Sequence, residues 1–218
     1  MRERYNEQLR YLNENIIAMG KLIEIAIQSA IIALMDKDTE AAKEIIKNDD
    51  EIDNKEREIE TLCFKLLLEQ QPMAADLRLI TAALKMVTDM ERIGDHASDI
   101  AEHIKHLTDF TYSNMEHIHQ MSTEVIEMLH ESIDAYITRD IGKAKQVISH
   151  DDIVDDLFVF VKKDLIDQIY VNKGNGEQIA DYLMIAKYFE RIGDHSTNIA
   201  EWVIYSLTGD LKGQEANK

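Results

Sequence analysis

Only one proline and eight glycines punctuate the 218 residues. Chains built from many strands and tight turns need more of both, so this economy suits long helices. A single cysteine, Cys63, excludes an intrachain disulfide and fits a reducing compartment. Bases are also scarce: 24 Lys and Arg stand against 42 Asp and Glu, a formal net charge of −18. That balance opposes nucleic acid, whose phosphates would be repelled, and docking on anionic lipid. It favours hard cations or basic protein surfaces. The start of the chain, Met1 to Glu7, is charged and leads into no signal-type apolar run. The most apolar window, Ile23–Met35, contains Glu24, Gln28 and Ser29 and reads as too short to span a bilayer. A soluble cytoplasmic protein without membrane insertion is expected. The phosphate-cradling G-x-x-x-x-G-K-[ST], the nucleophile elbow G-x-S-x-G and the zinc motif H-E-x-x-H are all missing.

What is present is helical periodicity. Hydrophobic residues make up 45%, ample for a sizeable core. Leu9, Leu12, Ile16, Met19, Ile23, Ala26 and Ala30 alternate spacings of three and four, a heptad seam. Ile17, Ile27, Ile31 and Leu34 add a second stripe, so the first helix should pack on two sides. Asp36 to Thr39 break it, and Asp38 or Thr39 can cap the next. The second helix is expected from about Glu40 to Gln70, with Ile45, Ile52, Ile59, Leu62 and Leu66 apolar. Pro72 suits the first turn of the third, which should reach about Leu107. Then the plan restarts. Ser113-Asn114-Met115-Glu116 reads as a capping box, Asp140 as the cap of a fifth helix reaching about Val171. Asn172 to Gly176 read as a turn, and Gly209 as the end of a sixth helix.

The stretch Glu91-Arg92-Ile93-Gly94-Asp95-His96 returns as Glu190-Arg191-Ile192-Gly193-Asp194-His195. Over twelve residues nine match without a gap, at an offset of 190 − 91 = 99. On a helix, positions i, i+4 and i+8 share one face. Glu91, Asp95 and Asp99 therefore align, with Glu102 close by, and Glu190, Asp194, Asn198 and Glu201 repeat the row. Like charges so spaced cost a helix roughly 0.2–0.5 kcal/mol per pair, so their reuse points to a compensating gain. The second helix adds Asp49, Asp53 and Glu56 on one face, and the fifth adds Asp151 and Asp155. Carboxylates from adjacent helices suit a hard or borderline cation. The bland alternative is a solvated face, since the row lies nearly opposite the core stripe. Repetition, with a second acidic helix in each half, favours a metal held in a surface groove.

Around the motif, Gly94 and Gly193 cost about 1 kcal/mol each against alanine, which suggests close helix–helix approach. Arg92 and Arg191 read as salt-bridge partners, and His96 and His195 as edge residues. Glu116-x-x-His119 and Glu127-x-x-His130 carry the spacing of di-iron proteins, but both sit on one helix. This leaves a carboxylate-bridged di-metal enzyme of ferritin-like chemistry as the alternative function. Cys63, among Leu62, Phe64 and Leu66, reads as buried and structural. The fold expected is all-α, a tandem repeat of two antiparallel three-helix bundles, residues 1–109 and 110–218.

The doubled Glu-Arg-Ile-Gly-Asp, the Gln71-Pro72…Asp76-Leu77-Arg78 segment and the Asp-Asp pairs of the second and fifth helices resemble the PhoU family across roughly residues 5–209. The resemblance implies two tandem three-helix bundles, usually dimeric, in a non-enzymatic regulator. It implies metal, such as a multinuclear iron cluster or zinc or another divalent ion, on the E/D-x-x-x-D carboxylates. By motif these are Asp49, Asp53, Glu91, Asp95 and Asp99, then Asp151, Asp155, Glu190, Asp194 and Asn198. It further implies repression of the phosphate-starvation response through the ATPase of a phosphate ABC transporter and a sensor histidine kinase. The halves differ: Glu56 aligns with Phe158 and Asp99 with Asn198, so the first site is expected to bind metal more tightly.

Overall fold

The computed structural model describes residues 2–70, 73–107, 112–171 and 174–210. Six helices make up this part, α1 (Arg2–Asp36), α2 (Thr39–Gln70), α3 (Ala74–Ile104), α4 (Met115–Thr138), α5 (Ile141–Val171) and α6 (Gly176–Thr208), and no strand occurs among the described residues. The all-α expectation holds. Pro72, Gln71 and the start of the 172–176 turn lie outside the described residues.

The α1–α2 and α4–α5 turns share one chemistry. Lys37 and Arg139 take left-handed conformations, with φ of 52° and 58°. The following Asp38 accepts hydrogen bonds from the backbone N–H of Glu40 and Ala41, and Asp140 does so from Gly142 and Lys143. Each aspartate thus satisfies two of the four orphan donors at a helix start. Gly209, with φ of 84°, closes α6. The capping box at Ser113–Glu116 does not form. Asn114, not Ser113, is the N-cap and makes no side-chain cap bond; its amide donates across to Asp164 on α5 at 2.9 Å, and the Ser113 hydroxyl accepts from Gln168 of α5 at 3.1 Å.

Helices α1, α2 and α3 pack on one another, as do α4, α5 and α6. The two sets join through α3 against α6, the most extensive contact in the molecule, and through α1 against α4. Leu12, Ile16, Met19, Ile23, Ile27 and Leu34 of α1 are fully buried. Ile52, Ile59 and Leu66 of α2 join them, with Met86, Ile93 and Ile100 of α3 and Met121, Val125 and Met128 of α4. Buried residues from all six helices form one continuous hydrophobic cluster. Ile17 departs from expectation: it is partly exposed and lines a groove between α1 and α4.

The apolar stretch of α1 is longer than Ile23–Met35. Over Glu3–Asp36, α1 is long and apolar enough to cross a membrane by length and composition, with mean hydropathy of 1.8 in its most apolar stretch. The signal is stronger than Ile23–Met35 suggested because the two apolar stripes run on towards the N-terminus, as Leu12, Ile16 and Met19 show. Of that stretch, 44% is buried in the molecule, as a core helix packed on two sides would be.

Candidate metal centres

The first acidic groove lies between α2 and α3. Gly94 brings these helices together: a Cβ there would stand 3.0 Å from both Cδ1 and Cγ2 of Ile52 and 3.5 Å from Oδ1 of Asp49. The missing side chain therefore lets α2 sit against α3 and seats the Asp49 carboxylate on the bare backbone. One helical turn along, Asp53 meets Glu91 and Asp95, and carboxylate oxygens of the three lie within 4.8 Å of one another.

Proximity and partial burial show in the titration of these groups. Burial pushes Glu91 up to about 7, and the charges of Asp95, Glu56 and Asp53 add to it while Arg92 opposes. Burial likewise raises Asp49 to about 6; a hydrogen bond from Ser98 pulls down, and the charges of Asp95, Asp53 and Asp50 push up. Glu56 is raised by burial, then by Glu60 and Asp53. Two arginines supply countercharge. Arg92 reaches Asp95 at 2.8 Å and Glu91 at 3.5 Å, and Arg57 reaches Asp53 at 3.0 Å. Both guanidiniums are more than half exposed, at 55% and 66%, so they can swing away when a stronger cation arrives.

The second groove lies between α5 and α6 and repeats the plan. A Cβ on Gly193 would stand 2.9 Å from Oδ1 of Asp151 and 3.5 Å from Val154. Burial raises Asp151 to about 6, reinforced by Asp194, Asp155 and Glu190. Asp155 and Asp194 are also raised, by burial and then by Glu190. Lys187, one turn before Glu190, forms a close ion pair with it and packs over the Phe158 ring at 5.2 Å. Among the described residues no three ligand atoms here converge as they do in the first groove.

The two residues furthest along each motif turn elsewhere. Oδ2 of Asp99 accepts from Nδ1 of His96 at 3.3 Å when that nitrogen carries the ring proton. Asn198 donates to Oδ1 of Asp89 at 3.2 Å, on the opposite central helix. Nδ1 of His195 meets that same Asp89 oxygen at 2.8 Å, and the His96 and His195 rings lie 5.4 Å apart. Asp99, Asn198, His96 and His195 thus belong to the seam between α3 and α6. Asp49, Asp53, Glu91 and Asp95 face the first groove, and Asp151, Asp155, Glu190 and Asp194 the second. Arg191 lies over the Tyr188 ring at 5.6 Å. Cys63 is fully buried, and burial pushes its thiol up to about 12.

One cluster escaped the sequence reading. Glu124 and Glu127 of α4 and His150 of α5 bring ligand atoms within 4.8 Å, with His150 Nε2 2.7 Å from Glu124. The Glu127-x-x-His130 spacing drew attention to His130, which instead meets Glu24 of α1 at 2.8 Å. Glu124 and Glu127 at i, i+3, opposite a histidine beside Asp151, were the available signal.

A duplicated all-α bundle, with an acidic groove seated on a motif glycine in each half, is the class that these features define. The PhoU domain matches the chain twice, over residues 16–104 and 118–203, and the chain belongs to the PhoU family. It is 39% identical over 210 residues to a phosphate-specific transport system accessory protein PhoU homolog of Clostridium acetobutylicum, covering 95% of this chain and 96% of that one. A Pseudomonas aeruginosa protein of the same description is 32% identical over 209 residues, covering 95% and 86%. The crystal structure of PhoU from Pseudomonas aeruginosa superposes with a TM-score of 0.89 at 32% identity, over 94% of this chain and all of that one. The phosphate transport system regulatory protein PhoU from Streptococcus pneumoniae gives 0.88 at 28% identity, over 95% and 98%.

Proposed function

We propose that this chain is a cytoplasmic, non-catalytic accessory protein of phosphate transport. In this reading it represses phosphate uptake and the phosphate-starvation response, as an adaptor between the ATPase of a phosphate ABC transporter and a sensor histidine kinase. The observation that carries the reading is membership of the PhoU family over nearly the whole chain, with relatives described as accessory or regulatory proteins. The organisation proposed is two units, residues 1–109 and 110–218. Homodimerisation is proposed with it, and α5 supports that part: Val159, Phe160, Ile166, Ile169 and Tyr170 are exposed on it.

Metal is part of the same proposal. The donor set of the first groove fits a cation: three converging carboxylates, of which Glu91 is raised in pKa by burial and by the charge of Asp95, with only exposed arginines as countercharge. Asp53, Glu91 and Asp95 would hold it, with Asp49 adjacent and Asp99 reaching in only by leaving His96. Asp151, Asp155, Glu190 and Asp194 would form the second site, with Asn198 contributing only by leaving Asp89. Bound there, iron, zinc or another divalent ion supplies positive charge that locks neighbouring helices together.

Affinity capture from phosphate-replete cells tests the adaptor role, with Asp95→Asn/Asp194→Asn protein as control. Wild-type protein is expected to retain the transporter ATPase or the kinase, and recovery of neither, when both are expressed, overturns the reading. A second reading, the carboxylate-bridged di-metal enzyme, draws on the Glu124–Glu127–His150 cluster. Steady ferrous-iron oxidation abolished by Glu127→Gln would establish it, and no turnover above the buffer rate would end it.

A further inference from the structure

The chain has 42 acids and 24 bases. Among the described residues neither Arg78 nor Arg139 has an acid within ion-pair distance. Both line one cleft of about 110 Å³, with Ala75, Asp76, Leu79, Ser206 and Leu207. The cleft lies where the start of α3, the end of α4 and the end of α6 meet.

Each arginine is held there by its backbone surroundings. Arg78 spends one donor, Nε, on the Ser206 carbonyl at 3.5 Å, and its stem packs beside Gly209. Four of the five guanidinium N–H groups remain available. Arg139 occupies a left-handed position, φ 58°, that glycine or asparagine fills more cheaply. The start of α3 adds positive potential. Its N-cap, Met73, makes no side-chain cap bond, so the first amides of a 31-residue helix, which include those of the cleft residues Ala75 and Asp76, receive no cap from that side chain.

A third group stands behind them. Tyr5 is nine-tenths buried, and its hydroxyl lies by the Asp76 carboxylate. Its charged neighbours are the two cleft residues Asp76 and Arg139; burial and then Asp76 push the hydroxyl up to about 12, while Arg139 opposes. The repeat does not produce this arrangement by default, since Arg78 aligns with Glu177, at 177 − 78 = 99, in the second half.

From the two unpaired guanidiniums, the uncapped helix start and the cleft between them, we propose a binding site for a small tetrahedral oxyanion, with inorganic phosphate as its ligand. Guanidinium forks match the oxygen geometry of phosphate, and uncapped helix amides favour the same charge. The cleft has room for one such ion and a water or two, a water claiming about 30 Å³. The Asp76 carboxylate on the same wall disfavours a dianion standing close to it, which places the ion towards the arginines. The site goes beyond the adaptor reading and does not rest on it.

The test is calorimetric titration of the full, chelator-treated chain with inorganic phosphate, with sulfate, chloride and phosphatidylglycerol vesicles as comparators. Saturable phosphate binding is expected, weakened about tenfold or more by Arg78→Gln and by Arg139→Gly. Arg139→Gly removes the guanidinium while easing a left-handed residue, so its Tm should not fall. Asp95→Asn should bind phosphate as wild type does, which separates this cleft from the acidic grooves. Absence of saturable binding, equal affinity of the arginine variants and wild type, or binding to vesicles but not to free phosphate would each overturn the proposal.

Discussion

Gly94 and Gly193 occupy the same motif position but face different neighbours, so alanine should act differently at each. At Gly94 a methyl meets two carbons of a β-branched side chain at 3.0 Å, one of them fixed close to the α2 backbone. Overpacking there should exceed the helix-propensity gain, and Gly94→Ala should cost about 1 kcal/mol net in urea unfolding. At Gly193 the nearest atom is the end of the Asp151 carboxylate, which can rotate away. Gly193→Ala should change stability by less than about 0.5 kcal/mol while moving Asp151 out of the groove. The raised carboxyls give a pH dependence of defined sign. Glu91, at about 7, and Asp49 and Asp151, at about 6, bind protons more tightly folded than unfolded. Their stabilising contribution is complete below their ordinary pKa values and is lost as pH rises through 6 to 7. Partly buried His96, whose pKa is lowered, works the other way, but it is one group against six, since Glu56, Asp155 and Asp194 are raised as well. The metal-free chain should therefore melt higher at pH 5.5 than at pH 8, and Glu91→Gln should flatten that difference. Spacing alone revealed the acidic rows, because four-residue steps fix a helix face. It did not reveal that Asp99 and Asn198 leave the row, since that depends on which helix packs beside the next turn.

At the scale of the element, the two grooves are built by the same pair of helices used twice, yet their contents have diverged. The α2–α3 groove gathers three carboxylates, with only solvent-exposed arginines beside them. The α5–α6 groove has Phe158 in place of Glu56 and an internal Lys187 closed on Glu190. A cation entering the second groove must displace an ammonium already in contact. Asp95→Asn should therefore remove more bound zinc or iron than Asp194→Asn, measured by metal content after dialysis, and equal losses would contradict this ordering. The helices themselves were readable because each carries its own signals: Asp38 and Asp140 cap, and Gly209 ends. The failed capping box shows the limit of such signals. Ser113 and Glu116 have the right spacing, but the helix starts at Asn114 and Gln168 on α5 takes the Ser113 hydroxyl. No reading of a four-residue window contains that competitor. The reach of the apolar stretch in α1 was missed for a similar reason, because a helix packed on two sides carries enough apolar residues to resemble a membrane span.

For the molecule as a whole, the α3–α6 seam and the continuous core join the two halves. His195 against Asp89 and His103 against Asp181, both at 2.8 Å, cross it. Urea unfolding should show a single transition, with fluorescence of Trp202, on α6, coinciding with helix loss over all six helices. A separate early transition in either signal would show the halves to be independent. The seam also records how the duplicated halves parted. Asp99 and Asn198 are counterparts, 99 residues apart, and so are Asp89 and Tyr188. In one set His96 has Asp99 on its own helix and the Tyr188 ring across the seam. In the other, His195 finds its acid, Asp89, across the seam, and Asn198 donates to that acid. The carboxylate has changed sides, and an aspartate at 198 would face Asp89 at about the 3.2 Å now spanned by a hydrogen bond. Two copies of the first half, joined in this way, would set acid against acid twice; two copies of the second would leave both histidines without one. The halves have become lock and key to each other, and neither can stand in for its twin.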